Sequence, residues 1–305
     1  MKSPLKGFFL SLVTAVMWGA LPLIMQQVLT VMHPQTVVAS RFLAAALILG
    51  VFLQRRQRLP SWRTLSQPRY AWLLLVGVVG LVGNFWLFST ALLFLPAAAS
   101  QVLAQLSPFF LLFTGVCFLK EPLGRNQRIG AAILFSGILL FFNRELPTLF
   151  AGGLGGKSLG ILLSVAACLA WTCYGLAQKI LLRDFPAQQI LFVLYCGSAL
   201  AAAPFATWGE LQALDGYQWL CLLFCCLNTP IAYGAFAEAL NYWEVSKVST
   251  TITLVPLFTI AFAALGHWLQ PQRFAAADVN LLAAVGAALV VSGAICSALQ
   301  QRQKR

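Results

Sequence analysis

Residues 7–29, GFFLSLVTAVMWGALPLIMQQVL, decide the fold of this chain. The stretch contains no charged residue, and a helix of about 20 apolar residues is long enough to cross the hydrocarbon core of a bilayer. In lipid, a helix satisfies every backbone polar group internally, whereas an irregular segment leaves such groups without partners. Residues 7–29 therefore predict a membrane-spanning helix.

The same pattern recurs along the whole chain, separated by short connections that often contain proline. We predict an all-α polytopic membrane protein with ten transmembrane helices and no separate extramembrane domain. The predicted spans are residues 7–29, 34–54, 69–92, 97–119, 126–143, 157–182, 187–207, 217–240, 245–269 and 277–299.

Composition agrees with a chain whose partner is the lipid bilayer. Of the 305 residues, 60% are hydrophobic and 9% are charged, and the mean hydropathy is +0.83. A soluble domain carries roughly a quarter of its residues as charged side chains. The net charge of +12 comes from short clusters between apolar runs and not from a basic face, so we do not expect nucleic acid as a partner.

The basic residues also predict an orientation. With the N-terminus in the cytoplasm, the cytoplasmic segments hold 16 of the 20 lysines and arginines, the outer loops hold three, and Arg41 lies within a span. Lysine and arginine are enriched on the cytoplasmic side of membrane proteins. We therefore predict a multi-pass protein of the bacterial inner membrane with both termini in the cytoplasm.

An internal repeat divides the chain into residues 1–150 and 151–305. Gly7, Ser11 and Trp18 in helix 1 recur as Gly160, Ser164 and Trp171 in helix 6, with collinear matches between helices 4 and 9 and between helices 5 and 10. A unit of five helices is odd, so its second copy enters the membrane in the opposite orientation. Inverted repeats of this kind typify secondary transporters, whose substrate site lies between the halves.

Over essentially its whole length, the sequence resembles an EamA-type member of the drug/metabolite transporter superfamily. The matching segments, besides the closing glycines of helix 5, are residues 15–20 (AVMWGA), 39–42 (ASRF), 98–100 (AAS), 106–108 (LSP) and 119–122 (LKEP). The resemblance implies two EamA repeats and the export or facilitated movement of amino acids, other metabolites or drugs. One departure is the sequence Leu269-Gln270-Pro271, where the family usually has a glutamate after helix 9.

Arg41 is a candidate binding residue because an arginine at the centre of a spanning helix costs roughly 2.5–3.5 kcal/mol on the insertion scale. It lies about seven residues, or roughly 10 Å, into helix 2. Intramembrane charges commonly mark functional sites. Arg41 would hold a substrate carboxylate or shape the outer gate, and a helix-packing role remains the alternative.

Polar residues in the other spans supply further candidates. Gln101 and Gln105 are four apart on helix 4, as are their repeat equivalents Ser249 and Thr253 on helix 9, so each pair shares a helix face. Two such polar stripes facing one cavity would suit a neutral or zwitterionic solute, and interhelical hydrogen bonding is the alternative. The remaining candidate lining residues are Trp18, Asn84, Trp86, Trp171, Tyr174, Gln178, Asn228 and Tyr233.

Three residues are candidates for gating or coupling. Pro108 and Pro256 would each remove a backbone hydrogen bond within helices 4 and 9 and kink them. Glu238 is the one acid well inside a predicted span, near its cytoplasmic end, where it would serve as a gate, an ion pair or a proton-coupling group.

We therefore expect a secondary transporter or facilitator that exports amino-acid-like metabolites by alternating access, as a monomer or weak dimer. A multidrug exporter is the alternative within transport. A membrane-embedded enzyme or a membrane protein without transport activity would be a different class. An enzyme would need clustered acids, a Ser/His pair or a metal site in the bilayer. The chain has two histidines, both near predicted outer ends, and no CxxC pair, so we expect no enzyme activity, metal or cofactor.

Overall fold

The structure is a computed structural model that describes residues 4–61, 65, 67–107, 109–110, 114, 124–144, 155–243, 248, 251–275 and 280–298. Within these residues all regular secondary structure is helical. The α-helices are α1 Pro4–Val28, α2 Pro34–Arg55, α3 Pro68–Ala91, α4 Ala97–Ala104, α5 Arg125–Phe141, α6 Gly156–Leu181, α7 Ala187–Ala202, α8 Gly216–Tyr242, α9 Val255–Leu269 and α10 Leu281–Ala298. Two short 3₁₀ helices, Ala203–Phe205 and Trp208–Ala213, lie between α7 and α8.

Each predicted span overlaps one of these helices. Six of them, namely α1, α2, α3, α6, α7 with its 3₁₀ extension, and α8, are long and apolar enough to cross a membrane. The described parts of α4, α5, α9 and α10 are shorter. The all-helical polytopic architecture is as predicted, and the crossing of the membrane by all ten helices remains a prediction.

Local sequence fixes several helix ends. Pro34 and Pro68 each occupy the first turn of their helix, where a missing N–H costs nothing. Asp215 caps α8 by accepting the backbone N–H of Gln218 at 2.7 Å, while the Gln218 side chain accepts the Asp215 backbone N–H at 3.0 Å. This reciprocal pair is a capping box, which stabilises the start of a helix.

Helix packing follows a regular exchange pattern. Helix α5 packs most extensively against α10, α3 against α6, α1 against α8, and α2 against α7. If each helix is replaced by the one five helices away (α1 by α6, α2 by α7, and so on), the same set of pairs results. Most of the principal partners of a helix in residues 1–150 thus lie in residues 151–305.

The α5–α10 pair depends on glycines. A Cβ added to Gly286 would stand 2.5 Å from the backbone nitrogen of Phe141, and one added to Gly137 would stand 2.6 Å from that of Val290. A Cβ on Gly293 would lie 2.4 Å from the Leu134 nitrogen. Small residues let membrane helices approach backbone to backbone, which is where their packing energy comes from.

Helices 4 and 9 each contain a local 3₁₀-type turn that the regular spans predicted at 97–119 and 245–269 did not include. Helix α4 ends at Ala104, and the Gln105 N–H bonds to the carbonyl of Val102 in a 3₁₀-type turn. Near α9, the Leu254 N–H bonds in the same way to Thr251, and α9 begins at Val255. The two turns lie at positions that the repeat makes equivalent.

Candidate functional site

Arg41 is buried among neutral side chains. It is 3% exposed, and its Nε donates to Thr229 Oγ1 at 3.2 Å. Its second contact is a long hydrogen bond from Nη1 to the Met25 sulfur at 3.7 Å, and the guanidinium lies 4.4 Å from the centre of the Phe85 ring. Helices α1, α2, α3 and α8 together build this surrounding.

No carboxylate among the described residues forms an ion pair with Arg41. Taking an ion out of water costs several kcal/mol even after relaxation, and one hydroxyl, one thioether and one ring offset that cost only partly. A ligand carboxylate would complete the electrostatics of the site, because guanidinium groups match carboxylates with two parallel hydrogen bonds.

Aromatic rings surround the same region. Trp18 packs edge-on against Tyr233 at 5.2 Å between ring centres, and Trp171 packs against Tyr174 at 6.3 Å. Tyr233 and Tyr195 both lie within electrostatic range of the Arg41 guanidinium. The predicted aromatic residues of α1, α6 and α8 are therefore brought together with Arg41.

Several buried polar atoms near these rings have no hydrogen-bond partner. Trp86, Tyr195 and the core residues Phe42 and Phe85 pack in one cluster, and Ser198 lies one turn beyond Tyr195 on α7. Buried polar groups in native proteins almost always find a partner, so these atoms are available to a ligand. Among the described residues, the unpartnered buried side-chain atoms are Trp86 Nε1, Tyr195 Oη, Ser198 Oγ, Asn228 Oδ1 and, on α4 outside this cluster, Ser100 Oγ.

Three predicted amide side chains act between helices. The NH₂ group of each donates to a main-chain carbonyl of another helix, which favours interhelical packing as its role. The side-chain oxygen of Asn228 has no hydrogen-bond partner among the described residues. The bonds are Asn84 to Ala167 at 2.9 Å, Gln101 to Trp18 at 2.9 Å and Asn228 to Met17 at 2.6 Å.

The remaining predicted site residues lie in separate parts of the chain. Gln105 and Thr253 are buried at the two 3₁₀-type turns, and Gln178 lies partly buried one turn beyond Tyr174 on α6. Ser249 and Pro108 lie outside the described residues.

The candidate gating residues are placed differently from Arg41. Pro256 lies in the first turn of α9, directly after the 3₁₀-type turn, and not in the interior of a regular helix. Glu238 is partly buried near the end of α8, within electrostatic range of Lys6. Glu238 lies nine positions further along α8 than Thr229, or about 14 Å along the helix axis.

A second polar contact joins the α1–α2 connection to the 3₁₀ helix before α8. The Glu210 carboxylate accepts the backbone N–H of His33 at 2.9 Å and also contacts the His33 ring nitrogen Nδ1. Beside it, the Thr207 N–H donates to Thr36 Oγ1 at 3.0 Å. These contacts fix the start of α2, the helix that carries Arg41, and we name the set His33, Thr36, Thr207 and Glu210 the loop clasp.

A cavity of about 310 Å³ lies between the start of α8 and the end of α9. It is lined by Tyr217, Phe262, Leu265, Gly266, Leu269, Gln270 and Phe274, none of which is a predicted binding residue. Phe85, which contacts the Arg41 guanidinium, packs in an apolar cluster with Phe42 and Tyr195.

Sequence reasoning did not single out Tyr195, Ser198, Thr229 or the loop clasp. Serine, threonine and tyrosine are ordinary residues of membrane helices, so their presence alone carries little information. A usable signal was the i, i+3 spacing of Tyr195 and Ser198, which puts both on one face of an otherwise apolar helix.

A bundle of apolar helices that encloses an arginine, aromatic rings and unpartnered polar atoms defines a polytopic membrane protein with an internal polar site. The family model for the EamA-like transporter family matches this sequence twice, at residues 5–143 and 158–299. The chain belongs to the EamA-like transporter family.

Known proteins resemble the chain over nearly its whole length. A protein of Escherichia coli strain K12 described as an uncharacterized inner membrane transporter, YhbE, is 45% identical over 97% of this chain and 92% of its own. A Salmonella typhimurium protein described as a probable amino-acid metabolite efflux pump is 24% identical over 98% of this chain and 97% of its own. A solved crystal structure with 19% identity covers 99% of this chain and 100% of its own with a TM-score of 0.69, which shows a shared fold.

Proposed function

We propose that this protein is a secondary transporter of the inner membrane that exports small, amino-acid-like carboxylates through a site centred on Arg41. The observation that carries the proposal is the buried guanidinium, which among the described residues has only neutral partners. Family membership supports transport, and the names of the relatives support an inner-membrane location and metabolite efflux.

In this proposal, ten spanning helices form two inverted repeats, residues 1–150 and 151–305, with both termini in the cytoplasm. The exchange pattern of the helix pairs and the two matches of the family model support such a division. The 3₁₀-type turns in helices 4 and 9 support it further, because they lie at equivalent positions of the two repeats.

Alternating access then requires the contacts around Arg41 to open to each side in turn. The loop clasp is the candidate outer barrier, because it ties the start of α2 to the segment before α8. The region of Lys6, Tyr242 and Glu238 is the candidate inner barrier, since Lys6 Nζ donates to Tyr242 Oη at 2.9 Å.

The test is counterflow in proteoliposomes that contain the full chain. Vesicles loaded with an unlabelled solute are diluted into the labelled solute, and saturable uptake is measured for wild type, Arg41→Gln and Arg55→Gln. Arg55 is the matched control because it is an exposed arginine on the same helix. A hydrogen bond to a charged group contributes about 1.5–3 kcal/mol, so Arg41→Gln should weaken the apparent affinity roughly 10- to 100-fold.

Thermal unfolding in detergent separates binding from packing. Because Arg41 has no acidic partner among the described residues, its replacement by a neutral amide should leave the unfolding temperature unchanged or raise it. Loss of exchange together with a clear fall in unfolding temperature would assign Arg41 to packing. Wild-type vesicles without exchange for any amino-acid-like carboxylate would overturn the proposal and direct the search to drugs.

A further inference from the structure

We propose that the substrate is an organic anion, a carboxylate without a cationic amine, and that the membrane potential drives its export. This inference rests on the proposed function and adds the charge of the substrate and the driving force. The inference rests on the charge and the hydrogen-bonding groups around Arg41, because a ligand must match both.

Three of the unpartnered side chains of the site can donate a hydrogen bond. The indole Nε1 of Trp86 only donates, and the hydroxyls of Tyr195 and Ser198 are able to donate. Tyr195 is 1% exposed and Ser198 is completely buried. Together with the guanidinium of Arg41, these groups suit the oxygens of an anion.

A zwitterionic amino acid fits this site less well. The hydroxyl oxygens of Tyr195 and Ser198 could accept from its ammonium group, but no described carboxylate forms an ion pair with Arg41 and offsets the added positive charge. The unpartnered group here that only accepts is Asn228 Oδ1, a single neutral oxygen. Such an oxygen suits one hydroxyl or amide N–H of the ligand. A buried ammonium near Arg41 would add a second positive charge, and like charges in a low dielectric repel strongly.

Glu238 and Glu210 do not supply a negative charge beside Arg41. Glu238 lies about 14 Å further along α8 than Thr229 and within electrostatic range of Lys6. Glu210 contacts His33 in the loop clasp, outside the spanning segments. Neither carboxylate contacts the Arg41 guanidinium.

The charge of the substrate has a thermodynamic consequence. Over a complete transport cycle the protein returns to its starting state, so the net charge moved is the charge of the substrate. One elementary charge gains about 2.3 kcal/mol per 100 mV, so an interior-negative potential of 100 mV drives a monoanion outward to a concentration ratio of roughly 50. Export of such a substrate needs no coupling ion.

The experiment uses matched probes that differ in the amine alone. For leucine, phenylalanine and threonine, the labelled probes are the free amino acid, the N-acetyl amino acid and the corresponding 2-hydroxy acid, all at pH 7. Counterflow is measured first in wild-type, Arg41→Gln and Arg55→Gln proteoliposomes and in protein-free vesicles. A potassium diffusion potential set with valinomycin, interior negative, is then imposed on vesicles loaded with each probe.

We expect saturable exchange of the N-acetyl or hydroxy forms, with an apparent affinity weakened roughly 10- to 100-fold in Arg41→Gln and unchanged in Arg55→Gln. Their outward concentration ratio should rise about 50-fold at 100 mV, and that of the free amino acids should not change. Exchange of the free amino acids in preference, or an anion distribution that ignores the potential, would overturn this inference and leave the proposed function standing. Absence of Arg41-dependent exchange for every probe would overturn both.

Discussion

At the scale of single residues, Arg41 is the feature that the sequence makes most visible. A charge in an apolar span is costly, so its presence alone predicts a special role. Its partners could not be predicted from the sequence, because Thr229, Met25 and Phe85 come from three other helices. Which side chains meet there depends on the register of helix pairs, and hydropathy carries no information about register.

The residues of the loop clasp give a prediction about pH. Partial burial opposes the ionisation of Glu210, but hydrogen bonds from the side chain and backbone of His33 and from Thr36 outweigh it and hold the pKa of the Glu210 carboxyl below its ordinary value. The ionised group therefore stabilises the folded protein at neutral pH. That contribution is lost as the pH falls through the lowered pKa.

Glu210→Gln removes this titration. We expect the variant to be less stable than wild type at pH 7, by at most about 1 kcal/mol since the pair is near the surface. The difference should disappear at an acidic pH below the lowered pKa of this carboxyl, where the wild-type group is protonated and neutral as well. Thermal unfolding in detergent at both pH values measures it, and a difference that persists unchanged in acid would show that charge is not the cause.

At the scale of helices, the apolar runs predicted the positions of the helices to within a few residues at most of their ends. The runs did not predict the 3₁₀-type turns at Gln105 and Thr253–Leu254, because both neighbouring segments are equally apolar. The sequence did contain a cue in Pro256, since a proline removes a backbone hydrogen bond and clashes with the preceding turn. A proline indicates that the helix is distorted nearby, and the backbone of the structure shows where the distortion lies.

The α5–α10 pair gives a prediction with an internal control. In Gly286→Ala the new methyl group would meet the Phe141 backbone nitrogen at 2.5 Å, so the helices must separate. We expect a destabilisation of about 1–3 kcal/mol, as is usual for overpacking. Thermal unfolding of the purified variants measures this effect.

Gly234→Ala on α8 is the control, because a Cβ at that position meets no atom within 4 Å. Alanine favours a helix interior over glycine by roughly 0.5–1 kcal/mol, so this variant should be as stable as wild type or more so. Equal losses of stability in the two variants would contradict a close backbone contact between α5 and α10.

At the scale of the whole molecule, the sequence predicted an all-helical membrane protein, and collinear matches predicted that its halves resemble each other. Those matches came from glycine, serine, tryptophan and proline positions, such as Gly7 and Gly160, whose added Cβ atoms would each collide with the residues following the partner helix. The pairing of helices across the halves could not be predicted, because residues of similar hydropathy face every neighbour in a bundle.

Orientation is the property of the whole chain that is most directly testable. With 16 basic residues in the predicted cytoplasmic segments and three in the outer loops, we expect both termini in the cytoplasm. Green fluorescent protein fused after residue 305 should fluoresce, and alkaline phosphatase fused there should be inactive. Alkaline phosphatase fused after residue 213 should be active, and the opposite pattern would refute the orientation.

The exchange pattern of helix pairs also has a consequence for synthesis. Helices α1 and α3 leave the ribosome well before α8 and α6, their main partners, are made. During that interval, the glycine faces and polar side chains of the first half must remain in lipid or beside the insertion machinery without their final contacts. A gene cut between residues 145 and 155 should therefore give a first half that is degraded when expressed alone and rescued when the second half is co-expressed.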